Sequence, residues 1–141
     1  MGESAPMSHD SLRGRRILIV EDVAILAYSF EDILRRAGAD VVGPALQLES
    51  AERLAVEEDL SAALLDIRLN GDEVWPVARC LDQRGVPFVF CTGHFSPDSL
   101  PAEWRGRPLL VKPARAQAII DTVANLFHCN VWALLSFACL F

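Results

Sequence analysis

Ala62-Ala63-Leu64-Leu65-Asp66-Ile67-Arg68-Leu69-Asn70-Gly71-Asp72-Glu73 is the stretch whose reading decides the fold. An apolar run of strand length ends in one acid, Asp66, and a polar turn with Asn70 and Gly71 follows. A continuous apolar run closed by turn formers describes a strand covered on both faces. Such a strand delivers the Asp66 carboxylate to the end of a sheet. The turn is then expected to open a helix near Asp72.

Similar runs lie on either side. Ile17-Leu18-Ile19-Val20 breaks into Glu21-Asp22, Phe88-Val89-Phe90-Cys91 ends at Thr92-Gly93-His94, and Leu109-Leu110-Val111 ends in Lys112-Pro113. Val41-Val42-Gly43 reads as a further short strand. Helical spacing separates them. Over residues 24–37, Leu26, Phe30, Ile33 and Ala37 share a face, with Glu31, Asp32, Arg35 and Arg36 off it and Gly38 as the stop. Residues 49–58 turn Ala51, Leu54 and Ala55 inward. The helix opened by Gly71-Asp72 accepts Pro76 only in its first turn and faces Val74, Val77, Ala78 and Leu81 inward. Residues 114–127 form the last helix through Ile119, Ile120, Val123 and Phe127. Residues 95–107 carry Pro97, Pro101 and Gly106, so that connection is expected to hold one short turn at most.

Strand and helix alternate five times, the pattern of an α/β domain with a parallel sheet and right-handed crossovers. In such sheets the functional crevice lies beyond the carboxyl ends of the strands. The residues at those ends are Glu21, Asp22, Asp66, Thr92 and Lys112. Three acids at one edge repel unless a cation sits among them, and Mg²⁺ is the hard, oxygen-seeking ion that suits a few carboxylates with phosphate oxygens and water. Three acids, one lysine and one Mg²⁺ sum to a nearly neutral site. The roles then follow from charge: Asp66 as nucleophile toward phosphorus, Glu21 and Asp22 as metal ligands, the Arg68 carbonyl as a third, Lys112 as ion pair and Thr92 as hydrogen-bond donor to phosphoryl oxygens. Asp66 alone would be an ordinary loop acid or helix cap. Its four companions are what give it chemistry.

These residues resemble the receiver domain of bacterial two-component response regulators. The resemblance spans residues 15–127 and rests on Ile-Leu-Ile-Val-Glu-Asp, Leu-Leu-Asp-Ile-Arg-Leu, Cys-Thr-Gly and Val-Lys-Pro in the family's order. It implies a flavodoxin-like (CheY-like) five-stranded parallel sheet of order 2-1-3-4-5 with helices on both faces and an irregular fourth connection. It also implies Mg²⁺ dependence and phosphoryl transfer from a sensor histidine kinase or histidine phosphotransfer protein. Leu109 stands where typical receivers carry a switch aromatic. Phe90-Cys91-Thr92-Gly93-His94 resembles the Phe-Ala-Thr-Gly-Tyr-like motif of a subfamily of stand-alone receivers. The segment after Thr92 is therefore expected to reorder upon phosphorylation. The alternative is a non-phosphorylated, receiver-like adaptor. An aspartyl-phosphate enzyme of the haloacid-dehalogenase kind would want an acid two residues after the nucleophile, where Arg68 stands, so no enzyme beyond self-phosphorylation is expected.

The chain has 141 residues and a formal net charge of −6, which suits one domain and opposes non-specific nucleic-acid binding. Residues 1–14 read as a flexible leader, 15–128 as the receiver and 129–141 as a hydrophobic tail. No Asp, Glu, Lys or Arg occurs over residues 122–141, and the strongly apolar end is too short for a stable membrane span. The favoured reading of the tail is self-association, which would give a homodimer, or packing on the domain; a weak membrane-proximal anchor and a non-native tail are the competing readings. The cysteines, Cys80, Cys91, Cys129 and Cys139, form no CxxC pair and no zinc spacing. They are expected to be reduced thiols in a cytoplasmic protein.

Overall fold

The β-branched and Leu-rich runs pair side by side because each is apolar on both faces. The computed structural model describes residues 10–93 and 100–128. Strands β1 (Arg16–Val20), β2 (Asp40–Ala45), β3 (Ala62–Asp66), β6 (Phe88–Thr92) and β7 (Leu109–Val111) form one sheet in the order β2-β1-β3-β6-β7. Every pairing in it is parallel. Two short strands, β4 (Arg68–Leu69) and β5 (Asp72–Glu73), make a separate antiparallel hairpin. Numbered within the main sheet alone, the order is the expected 2-1-3-4-5.

Alternation along the strands builds two cores. Leu18, Val20, Ala63, Leu65, Phe88 and Phe90 face helices α2 (Leu48–Glu57) and α3 (Trp75–Gln83). Ile17, Ile19, Ala62, Leu64, Val89 and Cys91 face helices α1 (Ala24–Arg36) and α4 (Ala116–His128). All five residues of β3 are buried. Each large side chain so buried contributes roughly 1.5–3 kcal/mol. The aromatic rings of Trp75, Phe88, Phe90 and Trp104 meet edge to face at centroid distances of 5.2–6.2 Å and close one side of this core.

The structure departs from the sequence reading in four places. Helix α3 starts at Trp75, not Asp72, because residues 68–73 fold into the hairpin. Asn70 has φ 50° and Gly71 φ 91°, the left-handed pair that a two-residue hairpin turn requires. Leu12, placed in the leader by its polar surroundings, is fully buried, and its N–H donates to the Ala37 carbonyl at 2.9 Å. The domain core therefore begins before Arg15. In α1 the buried face runs through Ala27, Phe30 and Leu34 and on to the C-cap Ala37, with Leu26 and Ile33 at its rim. Strand β2 continues past Gly43 through the cis Gly43–Pro44 bond to Ala45.

Residues 102–104 form the only helical turn of the β6–β7 connection among the described residues, a 3₁₀ turn over Ala102–Trp104. His94, the reordering segment just after it, and the tail with its dimer expectation lie outside the described residues, wholly or in large part. Cys80 and Cys91 are free thiols. Among the described residues, no helix is long and apolar enough to cross a membrane.

The extension of β2 matters for the site. The β1–β2 register slips so that Leu18 faces Val42 but Val20 faces Ala45. Gly43 makes the slip at φ +90°, and a Cβ there would lie 2.7 Å from the Ala45 nitrogen and 3.2 Å from the Ile19 oxygen. Substituting Gly43→Ala is expected to lower stability by about 1–3 kcal/mol in urea unfolding, since the strained φ and the clash add. An unchanged midpoint would mean that the bulge relaxes without cost.

Candidate functional site

The ends of four of the five strands contribute the polar groups, two of them from β1. Glu21 follows β1 directly and is completely buried. Its N–H donates to the Ala45 carbonyl at 3.0 Å, so the β2 bulge anchors its backbone. Its Oε2 accepts from the Val23 N–H at 3.1 Å and its Oε1 from Lys112 Nζ at 2.8 Å. Asp22 is half-buried, and its Oδ2 accepts the Asn70 N–H at 3.0 Å. Asp66 closes β3 beside Cys91 of β6 and is 8% exposed. Thr92 is the next residue of β6, and its carbonyl accepts the Lys112 N–H at 2.7 Å, which ties the ends of β6 and β7. Lys112 Nζ lies 3.5 Å from Asp66 Oδ2.

Oxygens of Glu21, Asp22 and Asp66 lie within 4.8 Å of one another. Residues distant in the chain thus meet in one cup, with a lysine in its wall. Thr92 ends the strand next to Asp66, and Arg68 opens the hairpin two residues beyond it, with its side chain exposed. Leu109 is half-buried against the aromatic core. Asn70 went unread as a site residue. The signal for it was the Asn-Gly pair, which favours a left-handed turn.

The electrostatics follow from crowding. Burial pushes the Asp66 carboxyl up to about 7, and the hydrogen bond and repulsion from Glu21 add to it against the pull of Lys112. Burial also works against ionised Asp22, but the Asn70 N–H and proton sharing with Asp66 and Glu21 outweigh it and hold the group below its usual value. For Lys112, burial is overcome by the hydrogen bond to Glu21 and the attraction of Asp66, and the ammonium is held above its usual value. Burial raises the Cys91 thiol to about 12, so it stays protonated. The donor set is all hard oxygen, carries excess negative charge and spans the reach of one cation. It fits Mg²⁺, which takes carboxylates with water.

No family model matches the chain. A curated protein of Bacillus subtilis (strain 168), described as an uncharacterized transcriptional regulatory protein, YbdJ, is 25% identical over 120 residues. That match covers 83% of this chain and 52% of the relative, so the chain spans about half of the relative's length. Among solved structures, SdrG from Sphingomonas melonis Fr1 is 36% identical with a TM-score of 0.71, over 83% of this chain and 98% of that one. The receiver domain of the sensor histidine kinase PA1611 from Pseudomonas aeruginosa PAO1 is 26% identical with a TM-score of 0.66, over 79% of this chain and 98% of that one. Its structure has a magnesium ion coordinated in the active-site cleft. Other structures with the same fold are receiver domains of response regulators. The chain belongs to the receiver-domain family of response regulators. Its place among signalling domains agrees with the strand order and with the acids at the carboxyl edge of the receiver's sheet.

Crowding has a measurable consequence for the receiver. An Asp carboxyl in an unfolded chain titrates near 3.9, whereas Asp66 in the folded state holds its proton up to about 7. The folded state binds the proton more tightly, so this group's contribution to stability falls as pH rises from about 4 to about 7 and is level above that. In EDTA, Asp66→Asn is expected to raise the unfolding midpoint at pH 8, and by more than at pH 5. An equal gain at both pH values would contradict the assignment.

Proposed function

We infer that the chain accepts a phosphoryl group on Asp66 and signals through the phosphorylated state. The observation that carries this reading is the placement of Lys112 Nζ, 3.5 Å from Asp66 Oδ2 and 2.8 Å from Glu21 Oε1, at a cup of three carboxylates. A carboxylate oxygen of Asp66 attacks phosphorus, the bond from phosphorus to the donor breaks, and an acyl phosphate forms. Lys112 turns its charge from the acids to a phosphoryl oxygen, and the Thr92 hydroxyl donates to another. Glu21, Asp22, Asp66 and the Arg68 carbonyl would hold a Mg²⁺ ion, which neutralises the charge of the phosphoryl oxygens. Glu21 stays in place when Lys112 turns away, because its Oε2 is held by the Val23 N–H. Positioning and charge supply most of what phosphoryl transfer requires, so these few groups suffice.

The donor in this reading is a sensor histidine kinase or a histidine phosphotransfer protein, and the chain works in the cytoplasm with it. Output passes by contact with a further protein or by onward transfer of the phosphoryl group. The receiver neighbours are signalling domains, and the reading gives this chain no chemistry on other substrates.

Incubation with Mg²⁺ and acetyl phosphate, followed by intact-mass measurement, tests it. One alkali-labile phosphoryl adduct is expected, absent in Asp66→Asn and formed about a hundredfold more slowly in Lys112→Ala, the loss typical of removing a charge-stabilising group. An unmodified mass in the presence of bound Mg²⁺ would favour the adaptor role instead. Steady hydrolysis of varied phosphoesters would point to an enzyme.

A further inference from the structure

The geometry points to Asn70 as a positioning residue that biases the acid cup toward Mg²⁺ over Ca²⁺. The inference rests on the metal reading given above. Asn70 is the one non-glycine residue with positive φ among the described residues. Its N–H reaches Asp22 Oδ2 at 3.0 Å across 48 positions of sequence. Its Nδ2 donates to the Leu46 carbonyl at 3.4 Å, which ties the hairpin to the segment after β2. The turn is thus fixed to two other loops, and the carboxylate of Asp22 is fixed to the turn.

A carboxylate with one oxygen held by a rigid amide does not swing freely to clasp a cation with both oxygens. The other acids are engaged in the same way. Glu21 uses Oε1 on Lys112 and Oε2 on Val23, and Asp66 Oδ2 faces Lys112 at 3.5 Å. Each acid therefore has at least one oxygen already engaged, both in the case of Glu21, and none is free to clasp a cation with its two oxygens together. Mg²⁺ accepts single oxygens in a strict octahedron and keeps several waters, whereas Ca²⁺ takes six to eight ligands and favours two-oxygen carboxylates. Glu21 and Asp66 are restrained by a half-buried lysine. Asp22 is restrained by a surface turn, so it is the acid whose freedom a substitution can restore.

Calorimetric titration of the full chain with Mg²⁺ and with Ca²⁺ tests this, using the unaltered protein, Asn70→Pro and Asn70→Gly. Proline removes the N–H and, with φ held near about −65°, the left-handed turn as well, while glycine keeps the N–H and the turn and gives up only the Nδ2 bond to the Leu46 carbonyl. In Asn70→Pro, Mg²⁺ affinity is expected to fall about tenfold, the range seen when support for a metal ligand is lost, with Ca²⁺ affinity unchanged or higher. Asn70→Gly is expected to keep the unaltered Mg²⁺-to-Ca²⁺ ratio. The same ratio in a folded Asn70→Pro protein, or an equal change in Asn70→Gly, overturns the inference. If Asn70→Pro does not fold, amide exchange in the unaltered chain decides. The Asn70 N–H is expected to stay protected with Mg²⁺ bound, and loss of protection overturns the inference. Absence of Mg²⁺ binding by the unaltered chain overturns the metal reading itself, which separates that failure from failure of the role given to Asn70.

Discussion

Three carboxylates face one ammonium at the carboxyl edge of a buried parallel sheet, and the rest of the molecule is arranged to make that tolerable. Glu21 has no exposed surface, yet Lys112 Nζ at 2.8 Å and the Val23 N–H at 3.1 Å occupy its two oxygens. Removing such a partner leaves an uncompensated buried charge, a loss of about 3–5 kcal/mol. The remaining imbalance falls on Asp66, whose proton is held to about 7. Like charges this close oppose folding, and the two hydrophobic layers on either side of the sheet offset that cost. The site is thus a place where local electrostatics gives up stability to gather three carboxylates close enough to hold one cation.

The scaffold aims the groups by simple means. Parallel pairing sets Asp66 beside Cys91 and Thr92 beside Val111, so the acid, the hydroxyl and the lysine that follows Val111 emerge at one level. The Gly43–Pro44 bulge lets Ala45 reach back to the Glu21 N–H and fixes where β1 ends. The Asn70-Gly71 turn then brings a backbone donor onto Asp22. Strand register, bulge and turn each place one acid, and each is a backbone feature that needs no side-chain adjustment.

Much of this was legible in the sequence because burial on both sheet faces demands unbroken apolar runs, and those of β1, β3, β6 and β7 end in polar residues. The acids, Thr92 and Lys112 were found by that contrast. Leu12 was missed because one hydrophobe among Ser, Arg and Gly carries no period, though the core beneath Ala37 claims it. The face of α1 was read slightly off because Ile25, Leu26 and Ala27 are all apolar, and only packing decides that Ala27 turns in while Ile25 stays 79% exposed. The β4–β5 hairpin was missed because strands of two residues have no alternation to detect. Its turn chemistry was visible in Asn70-Gly71, but a helix start explained the same residues. Asn70 as a partner of Asp22 depends on that hairpin and could not be read without it.

Anomalous diffraction from crystals grown with Mn²⁺, an oxygen-seeking octahedral stand-in for Mg²⁺, tests the central claim most directly. The account predicts one strong peak within coordination distance of oxygens from Glu21, Asp22 and Asp66, with Lys112 still at the wall of the cup. A fully occupied peak elsewhere on the molecule, with none among these three carboxylates, would contradict it.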